Sequence, residues 1–252
     1  CLMARIGLIV GSGALSGSSD WDFGWQETGG RETESGEASA PLQSGTFAGH
    51  EVFALPRHGL PHRYAPHAVN YPANIRLLAD AGVTLVIALN TVGGIDDRAR
   101  TEALLIPDQI IDYTWGRALS FNAPDDVRHI DFSEPYDGRL RAQLLAAASS
   151  AGVAVVDGGV MGVTQGPRLE TAAEIRRMAQ DGCAMVGMTG MPEAVLAREI
   201  DLPLASIAMV VNPAAGLATE VIDMDDIRRA SANAMAKAAR LVRSFLEGFQ
   251  SL

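Results

Sequence analysis

Short apolar runs alternate with amphipathic stretches along most of the chain, which is the pattern of an α/β protein. Runs rich in β-branched residues and bounded by Gly or Pro predict buried strands at 4–15, 46–55, 83–90, 153–163, 184–188 and 204–211. Residues 101–113 predict a strand pair broken at Pro107-Asp108. Apolar residues at helical spacing predict helices at 66–81, 136–151, 171–180, 192–200 and 225–249. We therefore expect one α/β domain over residues 1–252, with helices around a central sheet.

One polar stretch, 17–45, departs from this pattern. It is rich in Gly, Ser, Asp and Glu and carries three aromatic residues, Trp21, Phe23 and Trp25. A loop of this length in a compact domain is usually a lid or a disordered insertion. The sequence therefore predicts an insertion here rather than part of the sheet.

Composition and charge restrict the possible partners. Hydrophobic residues make up 48% of the chain, and 30 acidic against 20 basic side chains give a formal net charge of −10. This balance argues against a nucleic-acid partner, and an anionic substrate would need a local cationic pocket. No apolar run reaches the ~18 residues of a membrane span.

The cysteines and histidines give no sign of a disulfide framework or a metal site. Cys1 and Cys183 are the two cysteines, and the chain opens without a basic and apolar signal segment. We therefore expect a cytoplasmic protein. His62 and His67 have no Cys or acidic residue at metal-ligand spacing, so we expect no metal.

Polar side chains recur where a predicted strand gives way to a loop or helix. They are Ser12, Arg57, His58, Thr91, Glu170, Thr189 and Asn212. In an open or barrel-like α/β sheet such strand ends gather at one rim, so we expect these groups to converge. Hydroxyls, an Arg, a His and glycine N–H groups suit phosphate, whereas a Glu with an Asn suits a heterocycle that both donates and accepts hydrogen bonds.

Each of these positions also has a simpler interpretation. The Arg57-His58 pair at a strand end is more often a surface contact. Glu170 is expected on the first turn of a helix, where its negative charge could simply interact favourably with the positive end of the helix dipole. Their coincidence at strand ends favours a shared site.

The turn Gly11-Ser12-Gly13 is a candidate phosphate loop. A dinucleotide site would need a third glycine and an acidic residue after a second strand, and the sequence has neither. This makes an NAD-dependent oxidoreductase a weak alternative. A module that binds a heterocycle without catalysis is another alternative and would need no phosphate cluster.

Several segments together resemble the trimeric purine nucleoside phosphorylase and methylthioadenosine phosphorylase family. The matching motifs are PRHG (56–59), VNYPANI (69–75), GPRLE (166–170), MTGMPEAVLARE (188–199) and SIAMVVN (206–212). The resemblance implies a single α/β domain with a mixed, partly barrel-like sheet flanked by helices. It also implies a homotrimer with active sites at subunit borders. The expected reaction is attack of inorganic phosphate on a nucleoside, with phosphate as co-substrate and no cofactor.

The resemblance also implies roles for individual residues. Phosphate would be held by Ser12, Arg57, His58, Thr91, the Val92 backbone and Thr189. The nucleoside would be bound by Met188 at the ribose and by Leu169, Glu170, Asn212 and Met224, with Phe121 and His129 reaching into a neighbouring subunit. His58, Glu170 and Asn212 form the catalytic set. The expected chemistry is positioning and charge stabilisation of an oxocarbenium-like state.

Three positions bear on the substrate. A Glu170 carboxylate and an Asn212 amide complement a 6-oxopurine, because N1–H donates while O6 and N7 accept. The resemblance places Met224 where the inosine- and guanosine-cleaving branch has a His, and methionine favours a 5′-methylthio group over a hydroxyl. Together these features predict cleavage of 5′-methylthioinosine. General inosine/guanosine phosphorolysis and methylthioadenosine phosphorolysis remain the alternatives.

Overall fold

A computed structural model of the protein describes residues 3–11, 15, 19–123, 125–218 and 224–252, apart from the side chains of Ser19 and Met224. These residues form thirteen strands and five α-helices. The strands are β1 (Arg5–Val10), β2 (Gln26–Thr28), β3 (Glu32–Thr33), β4 (Gly36–Glu37), β5 (Leu42–Phe47), β6 (His50–Pro56), β7 (Leu85–Gly94), β8 (Leu104–Ile106), β9 (Gln109–Asp112), β10 (Val155–Asp157), β11 (Val160–Val163), β12 (Cys183–Gly187) and β13 (Leu204–Pro213). The helices are α1 (Tyr71–Asp80), α2 (Gly138–Ser150), α3 (Ala172–Gln180), α4 (Gly190–Glu199) and α5 (Met224–Gly248). Within the described ranges, no helix has the length and apolar character needed to cross a membrane.

Eleven strands join in one mixed sheet, which confirms the predicted single-domain α/β architecture. Its main path runs β10-β8-β13-β7-β1-β6-β5-β2. The four central strands β13, β7, β1 and β6 are parallel. The sheet branches at the end of β7, where Gly93 and Gly94 pair with β12, which continues to β11 and β9. The carboxyl ends of the central strands therefore lie beside this second branch.

The sheet separates two hydrophobic clusters. Side chains of successive strand residues point to opposite faces, so neighbouring residues of β1 enter different clusters. Leu8 packs in the cluster that contains the apolar residues of α2 and α5, whereas Ile9 packs with those of α1 and α4. Both residues are fully buried. Helices on both faces thus hold the central strands in place.

Two strands predicted as continuous are interrupted. The predicted strand at 46–55 is a hairpin of β5 and β6, because Ala48 and Gly49 have φ of 51° and 84° and make a tight turn. Positive φ at both central residues is what a two-residue hairpin requires. Residues 153–163 divide into β10 and β11 at Gly158 and Gly159, whose φ values are 79° and 110°.

The strands on either side of Pro107-Asp108 do not pair with each other. Strand β8 pairs with β10 and β13, whereas β9 pairs with β11. The turn therefore passes the chain from the main path of the sheet to the second branch.

The polar stretch is part of the fold over its described residues, so the expectation of a lid or disordered insertion is wrong for 19–45. Strand β2 pairs with β5 and extends the sheet. Trp21 is 1% exposed, and its Nε1 donates to the Met235 carbonyl of α5 at 3.3 Å. The Arg243 guanidinium lies 4.8 Å from the centre of the buried Phe23 ring. Aromatic residues in a polar stretch here mark packing against α5.

Candidate active site

The ends of β7 and β13 bring three of the predicted site residues together. Thr91 lies beside Met209, and Val92 beside Val210. A register shift follows, after which Asn212 lies beside Gly93. Thr91 is exposed, Val92 is buried and Asn212 is half-buried. The strand-end argument therefore holds for Thr91 and Asn212, which lie close together on two parallel strands.

Arg57 is buried, so its interpretation as a surface contact is wrong. It is 2% exposed, and Nε and Nη2 donate to the two carboxylate oxygens of Glu193 at 2.5 and 3.0 Å. Nη1 donates to the Leu89 carbonyl at 2.9 Å. These contacts use three of the five N–H groups of a guanidinium. Two N–H groups of the guanidinium remain outside these three contacts.

His58 lies next to this ion pair as a neutral imidazole. Its Nδ1 is 2.8 Å from the Tyr64 carbonyl, which can only accept, so Nδ1 carries the proton and Nε2 is left as an acceptor. Burial, followed by the charge of Arg57, lowers the pKa of His58 from 6.5 to about 4. The ring stacks on that of His62 at 4.5 Å. A bound anion would counteract the influence of Arg57.

Thr189 belongs to a buried chain of polar side chains. Asn90 Nδ2 donates to Thr189 Oγ1 at 3.0 Å, and Ser206 Oγ donates to Asn90 Oδ1 at 2.8 Å. All three residues are buried. Because Asn90 occupies one lone pair of Thr189, the hydroxyl proton can be donated elsewhere. Asn90 and Ser206 were not among the predicted site residues, although each is a polar residue in an apolar strand.

Glu170 lies before α3 rather than on its first turn, which corrects the sequence prediction. Thr171 is the N-cap, and its Oγ1 accepts from the Glu174 backbone N–H at 3.1 Å. Glu174 in turn accepts from the Thr171 N–H at 2.7 Å. Glu174 is therefore the capping acid. Glu170 instead accepts from the Thr164 hydroxyl at 2.6 Å.

Two close glycine contacts join the Glu170 turn to the other substrate-binding candidates. A Cβ on Gly166 would lie 2.7 Å from Met188 Sδ, and one on Gly216 would lie 2.5 Å from Ala172 Cβ. Gly166 precedes Glu170 and Ala172 follows it, while Gly216 follows Asn212. The segments that carry Glu170, Met188 and Asn212 are therefore in contact.

Arg117 connects the Met188 segment to the residues that precede Glu170, and the sequence analysis did not predict this role. Its Nη1 donates to the carbonyls of Met188 and Met191 at 2.9 and 2.5 Å. Its Nη2 donates to the carbonyls of Gln165 and Thr164 at 2.9 and 3.3 Å. An arginine in a loop that lacks periodicity gives no sequence signal of such a role.

A cleft of about 220 Å³ opens beside Glu170. Thr164, Arg168, Glu174 and Trp115 also line it. Among the described residues, its lining does not reach Asn212, Met188 or the proposed phosphate ligands. The cleft thus borders the base end of the candidate site.

Three further predicted residues, Leu169, His129 and Phe121, lie in the described part of the chain. Leu169 is 68% exposed and His129 is exposed. The Phe121 ring lies 4.7 Å from the Arg76 guanidinium of its own chain. Ser12 is outside the described residues, as is the side chain of Met224.

Residues 5–247 match the phosphorylase superfamily. The chain is 52% identical over 207 residues to the probable S-methyl-5′-thioinosine phosphorylase of Pseudomonas syringae pv. tomato, covering 81% of this chain and 84% of that one. It is 40% identical over 238 residues to the S-methyl-5′-thioadenosine phosphorylase of Mycobacterium tuberculosis, covering 93% and 88%. A solved methylthioadenosine phosphorylase from an antarctic soil metagenomic library has a TM-score of 0.89 and 28% identity, covering 96% of this chain and 85% of that one. The chain therefore belongs to the phosphorylase superfamily and is an enzyme.

Proposed function

We propose that this enzyme cleaves S-methyl-5′-thioinosine with inorganic phosphate, giving hypoxanthine and 5-methylthioribose 1-phosphate. The proposal rests chiefly on Glu170, a carboxylate held outside the helix cap and on a turn in contact with the segments of Met188 and Asn212. The relatives named for methylthio-nucleosides support the same substrate class.

Phosphate is bound at the ends of the central strands. Arg57 offers its two remaining N–H groups, and Thr189 its hydroxyl proton. Thr91, the Val92 backbone and Ser12 complete the set. His58 Nε2 accepts a hydrogen bond from a phosphate hydroxyl, or donates one to phosphate when the imidazole is protonated. Held under the sugar, the phosphate acts as nucleophile and counter-charge while the glycosidic bond breaks.

In the proposed complex, the Glu170 carboxylate accepts from N1–H of a 6-oxopurine, and the Asn212 amide donates to N7 or O6. Adenine has no proton at N1 and presents an amino group, so the same pair is less complementary to it. The Glu170–Asn212 pair therefore favours methylthioinosine over methylthioadenosine. Both substrates occur in the names of the relatives.

Recognition of the 5′-methylthio group is assigned to Met224, the first residue of α5. Inosine and guanosine phosphorolysis is the second candidate function, because Glu170 and Asn212 would bind their bases equally well. Methylthioinosine and inosine differ in the 5′ group alone, and guanosine carries a 2-amino group on its base as well.

We further propose that the enzyme acts as a cytoplasmic homotrimer and needs no cofactor besides its phosphate co-substrate. The exposed His129 and the segment that carries Phe121 would then complete the site of a neighbouring subunit. Sedimentation of a fully active monomer would contradict this assembly.

A phosphate-dependent cleavage assay tests the proposed function. Release of free base is measured for methylthioinosine, methylthioadenosine, inosine and guanosine, with and without phosphate. The expected order of kcat/KM places methylthioinosine first, and no base is released without phosphate. A preference for methylthioadenosine would overturn the base assignment, and a preference for inosine would overturn the 5′ assignment.

A further inference from the structure

Thr164 makes a short hydrogen bond to the carboxylate proposed to recognise the base. Its hydroxyl donates to Glu170 Oε1 at 2.6 Å. A second acceptor, the Gly187 carbonyl, is 3.4 Å away. A threonine hydroxyl has one proton, and the shorter distance assigns it to Glu170. Oε1 of Glu170 therefore already accepts a hydrogen bond from the protein itself.

The donor itself is held in place by the backbone. The Thr164 N–H donates to the Gly187 carbonyl at the end of β12, at 2.9 Å. The Thr164 carbonyl accepts from Arg117 Nη2 at 3.3 Å. Because β11 and β12 are also paired immediately before this point, the hydroxyl occupies a fixed position.

A competing cation lies close to Glu170. Arg168 lines the same cleft and donates to both carboxylate oxygens of Glu174, at 2.9 and 2.8 Å. A Glu170 side chain without its Thr164 contact could rotate toward Arg168 and compete with Glu174. The Thr164 hydroxyl therefore holds the Glu170 carboxylate in one orientation and away from Arg168.

We propose that Thr164 is a positioning residue for base specificity. By binding Oε1, it directs Oε2 of Glu170 toward N1–H of a 6-oxopurine. This inference rests on the proposed function, because it assumes that Glu170 reads the base. In this proposal Thr164, which also lines the cleft, acts through its hydrogen bond to Glu170.

The test compares Thr164→Val, which removes the hydroxyl at nearly constant volume, with Thr164→Ser, which keeps it. The measured quantity is the ratio of kcat/KM for methylthioinosine to that for methylthioadenosine. We expect this ratio to fall about tenfold in Thr164→Val, because Glu170 loses its orientation. Thr164→Ser should retain the ratio within about twofold.

Further measurements separate this role from a structural one. In Thr164→Val, KM for phosphate and the Tm should stay close to wild type, whereas a structural role would lower the Tm and affect both nucleosides equally. The affinities for hypoxanthine and for adenine, measured by calorimetry, give the same comparison without turnover. A Thr164→Val protein that keeps the wild-type preference while Glu170→Gln loses it overturns the inference alone. Absence of phosphate-dependent cleavage by the wild type overturns the proposed function.

Discussion

Arg57 and Glu193 form a bidentate ion pair in the interior, with side chains 2% and 1% exposed. Loss of one partner would leave the other charge buried and incompletely compensated. We expect Glu193→Gln to lower the free energy of unfolding by about 3–5 kcal/mol, the range for breaking a buried ion pair. Urea unfolding measures this change.

The exposed pair of Arg5 and Glu51 provides the control. Its side chains are 48% and 29% exposed, and the N–O distance is 2.7 Å. Glu51→Gln should change stability by about 0–1 kcal/mol, because solvent screens such a pair. Equal effects of the two substitutions would show that Glu193 does not neutralise a buried charge.

The low pKa of His58 predicts a pH-dependent stability. In the unfolded chain the imidazole binds a proton below about 6.5, whereas in the folded protein it does so below about 4. Between these values the unfolded state binds more protons, so stability falls as the pH is lowered from 6.5 toward 4. The free energy of unfolding, measured over this range, should change less steeply with pH in His58→Gln than in wild type.

Phosphate should change this titration if it binds beside His58. A nearby anion favours the imidazolium, so phosphate should raise the pKa of His58, observed through the imidazole nitrogen resonances. Chloride at equal ionic strength should have a smaller effect. Identical titrations in the two salts would remove His58 from the phosphate site.

Arg117→Lys tests the connection between the turns at the base end. A lysine keeps the charge but cannot reach the four carbonyls that the guanidinium fork joins. We expect stability to fall by about 2–4 kcal/mol and nucleoside KM to rise, because each charge-assisted bond contributes about 1.5–3 kcal/mol and the losses are not additive. Arg128→Lys, in an exposed pair with Asp126, is the control and should be nearly neutral.

Gly216→Ala tests the contact between the Asn212 segment and the start of α3. Gly216 has φ of +78°, and an added Cβ would lie 2.5 Å from Ala172 Cβ and 3.2 Å from Ala172 Cα. We expect nucleoside KM to rise with little change in phosphate KM, because the collision displaces the base end. Gly24→Ala is the matched control, since Gly24 has φ of +71° with no atom within 4 Å of the added Cβ. A rise in nucleoside KM for both variants would refute a contact-specific effect.

Asn212→Asp should move base preference toward 6-aminopurines. An ionised aspartate only accepts, so it can accept from the adenine amino group and repels O6 of hypoxanthine. An unpaired buried acceptor costs about 1–3 kcal/mol, which corresponds to roughly 5- to 150-fold in the kcat/KM ratio. Glu170 still opposes adenine at N1, so the complete change requires Glu170→Ser as well. An unchanged ratio in Asn212→Asp would refute the pairing of Glu170 and Asn212.

The strand-end rule predicted those parts of the site that backbone geometry determines. Thr91 and Asn212 follow apolar runs, and parallel pairing of β7 with β13 brings their strand ends together. The breaks at Ala48-Gly49 and Gly158-Gly159 were missed because apolar residues resume beyond the glycines and the pattern was interpreted as one strand. Positive φ is a conformation that the run itself does not reveal.

Partners of site residues could not be predicted in the same way. Glu193 is 136 positions from Arg57, and Arg117 reaches segments 47 to 74 positions away. These contacts depend on side-chain reach after folding, and the motif that contains Glu193 does not indicate its partner. The capping role of Glu174 was readable as a Thr-x-x-Glu sequence, and it would have placed Glu170 outside the helix.

Strand β7 belongs to both branches of the sheet, pairing with β1 and β13 along much of its length and with β12 at Gly93 and Gly94. The residues assigned to phosphate and those assigned to the base are thus attached to one continuous hydrogen-bonded framework. Moving one branch of the sheet relative to the other would break backbone hydrogen bonds of β7. We therefore expect entry of the nucleoside and departure of the base to involve loops, such as the one that carries the exposed Trp115.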